Sequence, residues 1–204
     1  MTQYNEAAFD PKAAKYEEKW EDYLTHTHGI FLDKIDSSDS DTLLDASSGT
    51  GLLAGEIIKR GMPFRELFLN DPSQAMLDFA RKRLEGHPDI TFTNYTVEKM
   101  PFGEHTFDGV ICLNAFHFYT GQEKVLKNFK RILKSGGRLY ILDWNRSGFF
   151  RLINRIIKWS TTENINTRSL VETHDILKDS GFHISEQLDW NWRYWKFYFL
   201  EARK

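Results

Sequence analysis

A single cysteine, Cys112, stands in a chain of 204 residues. No internal disulfide can form, so a reducing, cytoplasmic setting is expected. Cys112 lies in an apolar run and reads as an inert core residue. An excess of positive charge is also missing: the formal net charge is -2, which leaves no global basic footprint for nucleic acid. No apolar run is long enough to span a bilayer. The stretch MTQYNEAAFDPK is polar and is not patterned as a secretory signal. Asn94-Tyr95-Thr96 and Asn145-Arg146-Ser147 match the glycosylation pattern, but nothing else points to secretion. Metal-ligand spacing is missing too. His26-x-His28 comes nearest, without carboxylate or cysteine partners at ligand spacing, and reads as a solvent-facing or lid pair; no metal is expected. There is no internal repeat and no low-complexity tract. Against these absences stand 41% hydrophobic residues, enough for one core and one domain over residues 1–204, and an aromatic content of 15%.

Helical spacing dominates Tyr4 to Lys34. Phe9, Ala13, Tyr16 and Trp20 recur at steps of three and four, and Asp10-Pro11 suits a helix start at Lys12. This helical lid, residues 1–36, is an addition before a polar linker at Ser37–Asp41. From Thr42 strands and helices alternate. Strands are expected at Thr42–Ala46, Glu66–Asn70, Ile90–Tyr95, Phe107–Leu113 and Arg138–Asp143. Helices are expected at Leu52–Arg60, from Pro72-Ser73 through Leu84, and at Gln122–Leu133. Ser135-Gly136-Gly137 reads as a turn. Such alternation implies a parallel sheet covered on both faces, over a core of residues 42–143, with ligands at the carboxyl ends of its strands. The rhythm then breaks. Phe149–Trp159 is amphipathic, Leu170–Asp179 is a helix closed by Gly181, and His183–Trp192 with Trp195–Ala202 form a hairpin that would make the sheet mixed. The fold class is α/β: a Rossmann-like, doubly wound, mostly parallel seven-stranded sheet with a C-terminal antiparallel hairpin.

The stretch Leu43-Leu44-Asp45-Ala46-Ser47-Ser48-Gly49-Thr50-Gly51 organises the rest. A buried strand ends in a glycine-rich turn, and a helix starts at once, so free backbone N–H groups and a positive helix end face a ligand. Gly49-x-Gly51-x-x-Ala54 also fits a dinucleotide fingerprint, with Asp71 about 20 residues on for a ribose. Asp45 argues against that ligand, because a carboxylate where a pyrophosphate would lie repels it. S-adenosylmethionine carries an ammonium, a sulfonium and two ribose hydroxyls but no phosphate, and carboxylates at Asp45 and Asp71 suit it.

Four stretches, in this order and spacing, carry a family resemblance: Leu44–Gly51, Asn70-Asp71-Pro72-Ser73-Gln74-Ala75-Met76-Leu77, Met100-Pro101-Phe102 with Phe107-Asp108, and Arg131–Leu139. The chain resembles a class I S-adenosylmethionine-dependent methyltransferase of the small-molecule branch that includes quinone-biosynthesis enzymes. The resemblance implies S-adenosylmethionine as cofactor and S-adenosylhomocysteine as product. It implies that Asp45 reaches the methionine end and that the backbone of Ser47, Gly49 and Gly51 lines that end. Asp71 would accept the ribose hydroxyls, Pro72 and Met76 would flank adenine, and Val97 would offer its N–H to the ring. Asn114 would face the ammonium, and Tyr16 would close over the cofactor. Two positions depart from the family pattern. Ser47 replaces a glycine, so its backbone must avoid glycine-only angles or the turn is altered. Thr96 replaces an aspartate near the adenine amino group.

A general base is needed only if the acceptor must lose a proton. His117, in the loop after the fourth strand, is the candidate, against the blander reading that it packs at a helix start. Trp20, Phe116, Phe118, Tyr119 and Trp144 should contact a hydrophobic or aromatic small molecule. Residues 149–159 cover the pocket as a lid, or meet a membrane surface with Arg151, Arg155 and Lys158 on anionic headgroups. Two rival functions remain at this point: S-adenosylmethionine binding without catalysis, and a nicotinamide-dependent reductase.

Overall fold

The computed structural model describes residues 13–161 and 163–204. The expected helix start at Asp10-Pro11 and the side chain of Phe9 lie outside them. The described residues build one seven-stranded sheet with helices on both faces. Helix α1 (Ala13–Leu32) precedes β1 (Thr42–Asp45), α2 (Leu52–Lys59), β2 (Glu66–Asn70), α3 (Gln74–Arg83), β3 (Ile90–Thr93) and β4 (Phe107–Leu113). Then come α4 (Gln122–Ile132), β5 (Leu133–Trp144), α5 (Phe150–Ser160), α6 (Leu170–Asp179), β6 (His183–Trp192) and β7 (Trp195–Arg203). Short 3-10 turns occupy Val97–Lys99 and Phe116–Phe118.

The sheet order is β3-β2-β1-β4-β5-β7-β6. The first five strands pair in parallel, and β7 runs antiparallel to both β5 and β6. Strand alternation sorts the core into two faces. Val110 and Cys112 of β4, Leu139 and Ile141 of β5, and Tyr198 and Leu200 of β7 pack with α4 and α6. Ile111 and Leu113, Tyr140 and Leu142, and Phe197 and Phe199 pack on the other side with α1 and α5. Phe31 anchors α1 there, with its ring 6.3 Å from Tyr140 and 6.1 Å from Phe199. All of β1 is buried, as a strand between two parallel neighbours must be.

One boundary departs from expectation in an instructive way. Strand β5 begins at Leu133, before the expected glycine turn. Phe107 pairs with Leu133, and the ladder resumes with Gly109 opposite Arg138. Residues 134–137 are accommodated as an irregularity inside the strand rather than as a turn. Gly136 takes φ 75° there. Lys204 accepts from the Gly136 N–H at 3.3 Å and donates its own N–H to Gly137 at 3.0 Å. Backbone partners supplied by the far end of the chain convert a local turn signal into strand.

The strand order reverses between β1 and β4, whose connections leave in opposite directions. Their carboxyl ends part there, and that crevice positions the site.

Candidate active site

The turn after β1 is clamped from both sides. The Ala46 N–H donates to Ile111 of β4 at 2.9 Å, and the Ser48 N–H donates to Asn70 of β2 at 2.9 Å. Gly49 and Gly51 take positive φ, 54° and 72°. A Cβ at Gly49 would meet nothing within 4 Å, whereas one at Gly51 would come within 2.9 Å of the Ala80 Cβ. Gly49 therefore keeps the cleft open to a ligand, and Gly51 lets the start of α2 press against α3. Ser47 is not among the residues with positive φ. The serine thus adopts ordinary angles, and the turn does not need glycine there. Its hydroxyl lies 2.6 Å from the Tyr119 hydroxyl, which ties the turn to the loop after β4.

Two carboxylates stand at the strand ends. Asp71 Oδ2 accepts the Gly49 N–H and Oδ1 accepts the Ser73 N–H, both at 2.9 Å. These bonds orient the carboxylate along the turn. Asp45 is 4% exposed and, among the described residues, accepts only a long 3.4 Å bond from the Ser47 N–H. Burial pushes its carboxyl up to about 7, against the lowering effect of the Ser47 bond, and the Asp71 charge adds to the rise. A buried carboxylate held this way gains from a cationic ligand.

The cleft has two adjoining halves that share Tyr16, Ser47, Gly49, Leu113 and Asn114. One encloses about 470 Å³ and adds Asp71, Met76, Ala115, Phe118 and Tyr119. The other encloses about 400 Å³ and adds Asp45, Ser48, Thr50 and His28. Among the described residues, no lysine or arginine lines either half. Burial, followed by the charge of Asp71, raises the phenol of Tyr16 well above its usual value.

Nine residues expected at the site meet in this cleft: Tyr16, Asp45, Ser47, Gly49, Asp71, Met76, Asn114, Phe118 and Tyr119. Gly51, Pro72, Thr96 and Val97 do not line it; Val97 is 3% exposed and belongs to the core. Among the expected acceptor contacts, Phe116 is 1% exposed and faces α4 on the opposite side of the sheet. The 3-10 turn at Phe116–Phe118 rotates successive side chains to different sides, so Phe116 turns into the core while Phe118 reaches the cleft. Trp20 packs against Tyr23 and Trp195 instead, at 5.6 and 6.2 Å.

Asn114 lines both halves of the cleft and also ties it to α1. It takes φ 56°, an angle asparagine tolerates, and its side chain is committed to α1. Its Oδ1 accepts from Tyr23 at 2.8 Å, and its Nδ2 donates to Thr27 at 2.9 Å. The Trp144 indole donates to the same Tyr23 hydroxyl at 2.8 Å. This chain of bonds fastens α1 to the ends of β4 and β5.

His117 is 3% exposed. Its Nδ1 lies 2.5 Å from Asp143 Oδ1, and its own N–H donates to Asp143 Oδ2 at 2.8 Å. The ring stacks on Trp144 and leans against Phe118, each 4.0 Å away. Nε2 is buried without a hydrogen-bond partner. His117 thus stands behind Phe118 rather than on the cleft surface. His28 corrects the solvent-facing reading of its pair: it is 5% exposed, lines the cleft, and sits 3.5 Å from Glu56. Leu113, Ala115, Ser48 and Thr50 also line the cleft. Their signal was local, since each neighbours a residue already singled out; the place of His28 on the cleft fits the lid alternative given for its pair.

The matching family is described as "Methyltransferase domain" and covers residues 44–141, the stretch from β1 through β5 that builds the cleft. Residues 44–141 are thus similar to a methyltransferase domain. Among curated relatives, the ubiquinone/menaquinone biosynthesis C-methyltransferase of Bordetella avium is 34% identical over 51% of this chain and 41% of its own length. The matches span between 40% and 58% of such relatives. Among solved structures, a chain from a complex with the Haloferax volcanii Trm112 methyltransferase activator superposes with a TM-score of 0.84 at 21% identity, over 96% of both chains. An S-adenosylmethionine-dependent methyltransferase of Thermotoga maritima follows at 0.76 and 20% identity, over 96% of this chain and 98% of its own. The fold shared with these structures therefore extends over nearly the whole chain, including the closing hairpin.

Proposed function

We propose that the protein transfers a methyl group from S-adenosylmethionine to a small hydrophobic or aromatic acceptor. The observation that carries the reading is the pair Asp45 and Asp71 at the carboxyl ends of neighbouring strands, in a cleft that no lysine or arginine among the described residues lines. That field rejects a pyrophosphate and favours a cationic nucleoside, which disfavours the nicotinamide reading. The residues present fit the cofactor. Gly49 leaves open space beside the turn, and among the described residues the buried Ser48 Oγ has no partner.

Asp45 would hold the cationic methionine end, Asp71 the ribose, and Met76 the adenine side, with Tyr16 closing from α1. When bound, S-adenosylmethionine supplies a methyl group activated on a sulfonium. The chain's own part is positioning and exclusion of water. Leu113, Ala115, Phe118 and Tyr119 form a mostly apolar wall for the acceptor. The proton acceptor we assign is His117. Asp143 fixes the ring through Nδ1, and Nε2, buried behind Phe118, would take a proton from an acceptor once Phe118 turns aside.

Calorimetry with S-adenosylmethionine, followed by transfer of labelled methyl to lipophilic hydroxyl, amine and carbon acceptors, tests the reading. Micromolar binding and transfer to one of these classes are expected. Absence of binding overturns the cofactor assignment, and binding without transfer favours a cofactor-binding protein. A His117→Ala variant with unchanged turnover across pH would leave His117 as packing behind Phe118.

A further inference from the structure

The outer side of α5 carries two adjoining stripes. Phe149, Leu152, Ile156 and Trp159 recur at steps of three, four and three, and are 74%, 53%, 57% and 90% exposed. Arg151, Arg155 and Lys158 run beside them, also exposed. The inner side is satisfied: Phe150 and Asn154 are buried, Ile153 and Ile157 pack beside Trp144 and Trp195, and Asn154 donates to Thr167 at 2.8 Å. Among the described residues, the outer stripes therefore have no structural task.

Charge separates this helix from the rest of the surface. Its sequence FRLINRIIKWS contains no acidic residue, although the whole chain has a net charge of -2. Every other arginine donates to a carboxylate or another oxygen of the protein. Among the described residues, the side chains of Arg151, Arg155 and Lys158 make no such bond. Three uncompensated cations thus lie along a row of four large apolar side chains that face water. An exposed row of this kind marks an interaction surface. Cations flanking the apolar row suit an interface whose anions border an apolar layer.

We propose that α5 docks the protein on the surface of an anionic lipid bilayer. Phe149, Leu152, Ile156 and Trp159 enter the boundary between headgroups and acyl chains. Arg151, Arg155 and Lys158 pair with lipid phosphates, the guanidinium groups through paired N–H donors. A protein partner would need an apolar groove with a matching acidic border. An anionic bilayer supplies both the apolar layer and the anions without a shape requirement. The proposal rests on this surface alone and does not depend on the assigned reaction.

Flotation of the whole chain with vesicles of phosphatidylcholine, with and without phosphatidylglycerol, tests it. Binding to the anionic vesicles only, weakened by salt, is expected. Replacing the three cations by glutamate should lower the partition coefficient at least about tenfold. A Trp159→Ser, Ile156→Ser variant should lower it by a similar factor of about ten. Both changes fall on exposed side chains, so the thermal melt and S-adenosylmethionine binding should match the parent protein and separate lost docking from lost fold. No binding to anionic vesicles overturns the proposal, as does binding that neither variant weakens. Self-association through this face without vesicle binding assigns it to a second copy of the chain and overturns the proposal as well.

Discussion

Asp45 shows how one side chain couples fold and site. Its carboxyl is raised to about 7 by burial in the ligand-free protein, while an unfolded aspartate titrates near the usual value of about 3.9. Between those values the folded chain holds a proton that the unfolded chain has lost. Stability from this group is therefore full below the unfolded value and falls as pH rises toward 7. Asp45→Asn removes that penalty. The variant should melt higher at neutral pH, by an amount on the order of 2 kcal/mol, and should bind S-adenosylmethionine at least about tenfold more weakly. A melt and a titration on the same sample read both. An unchanged affinity would remove Asp45 from the cationic end of the ligand. Ser47 makes a smaller point at the same scale. Its departure from glycine is absorbed because its backbone is ordinary and its hydroxyl meets Tyr119.

Among the elements, α6 is the one whose local chemistry is most complete. Ser169 caps it, with its hydroxyl accepting the Glu172 N–H at 3.2 Å while Glu172 accepts the Ser169 N–H at 2.6 Å. Burial alone would raise the Glu172 carboxyl. The Ser169 backbone bond and the Arg146 ion pair outweigh it and hold the group down at about 2. Its contribution is present above the usual carboxylate range and is lost as pH falls toward 2. Ser169→Ala should destabilise the protein by about 1 kcal/mol, seen as a shifted denaturation midpoint with an unchanged slope. A shift within error would mean that tertiary packing of Ile176 and Leu177 alone holds the helix.

For the whole molecule, the closure of the cleft depends on α1, which the parallel core does not require. Tyr23 links it to the sheet through Asn114 and the Trp144 indole. Tyr23 lines neither half of the cleft. Tyr23→Phe keeps the ring and removes two hydrogen bonds, so a loss of about 1–3 kcal/mol is expected. Affinity for S-adenosylmethionine should also fall, because Tyr16 on the same helix loses its placement. A destabilised protein with undiminished affinity would show that α1 is held well enough by Phe31 and its neighbours.

Period and punctuation made the fold legible in the chain itself. Strand and helix repeats, the glycine turn after Leu44-Asp45, and the acidic residue after β2 are local patterns, and local patterns dictate which backbone N–H groups and carboxylates meet at a strand end. They determined the α/β class, the sheet with its antiparallel close, and the pair Asp45 and Asp71. Tertiary structure decided what no window of sequence contains. Lys204 made strand out of the expected turn at Gly136-Gly137 by supplying backbone partners from the far end of the chain. The 3-10 turn sent Phe116 and Phe118 to different sides. Asn114 was committed to Tyr23 and Thr27, and His28 was buried against Glu56 beside the cleft. Each of these depends on partners distant in sequence, and side-chain direction is settled only when those partners arrive.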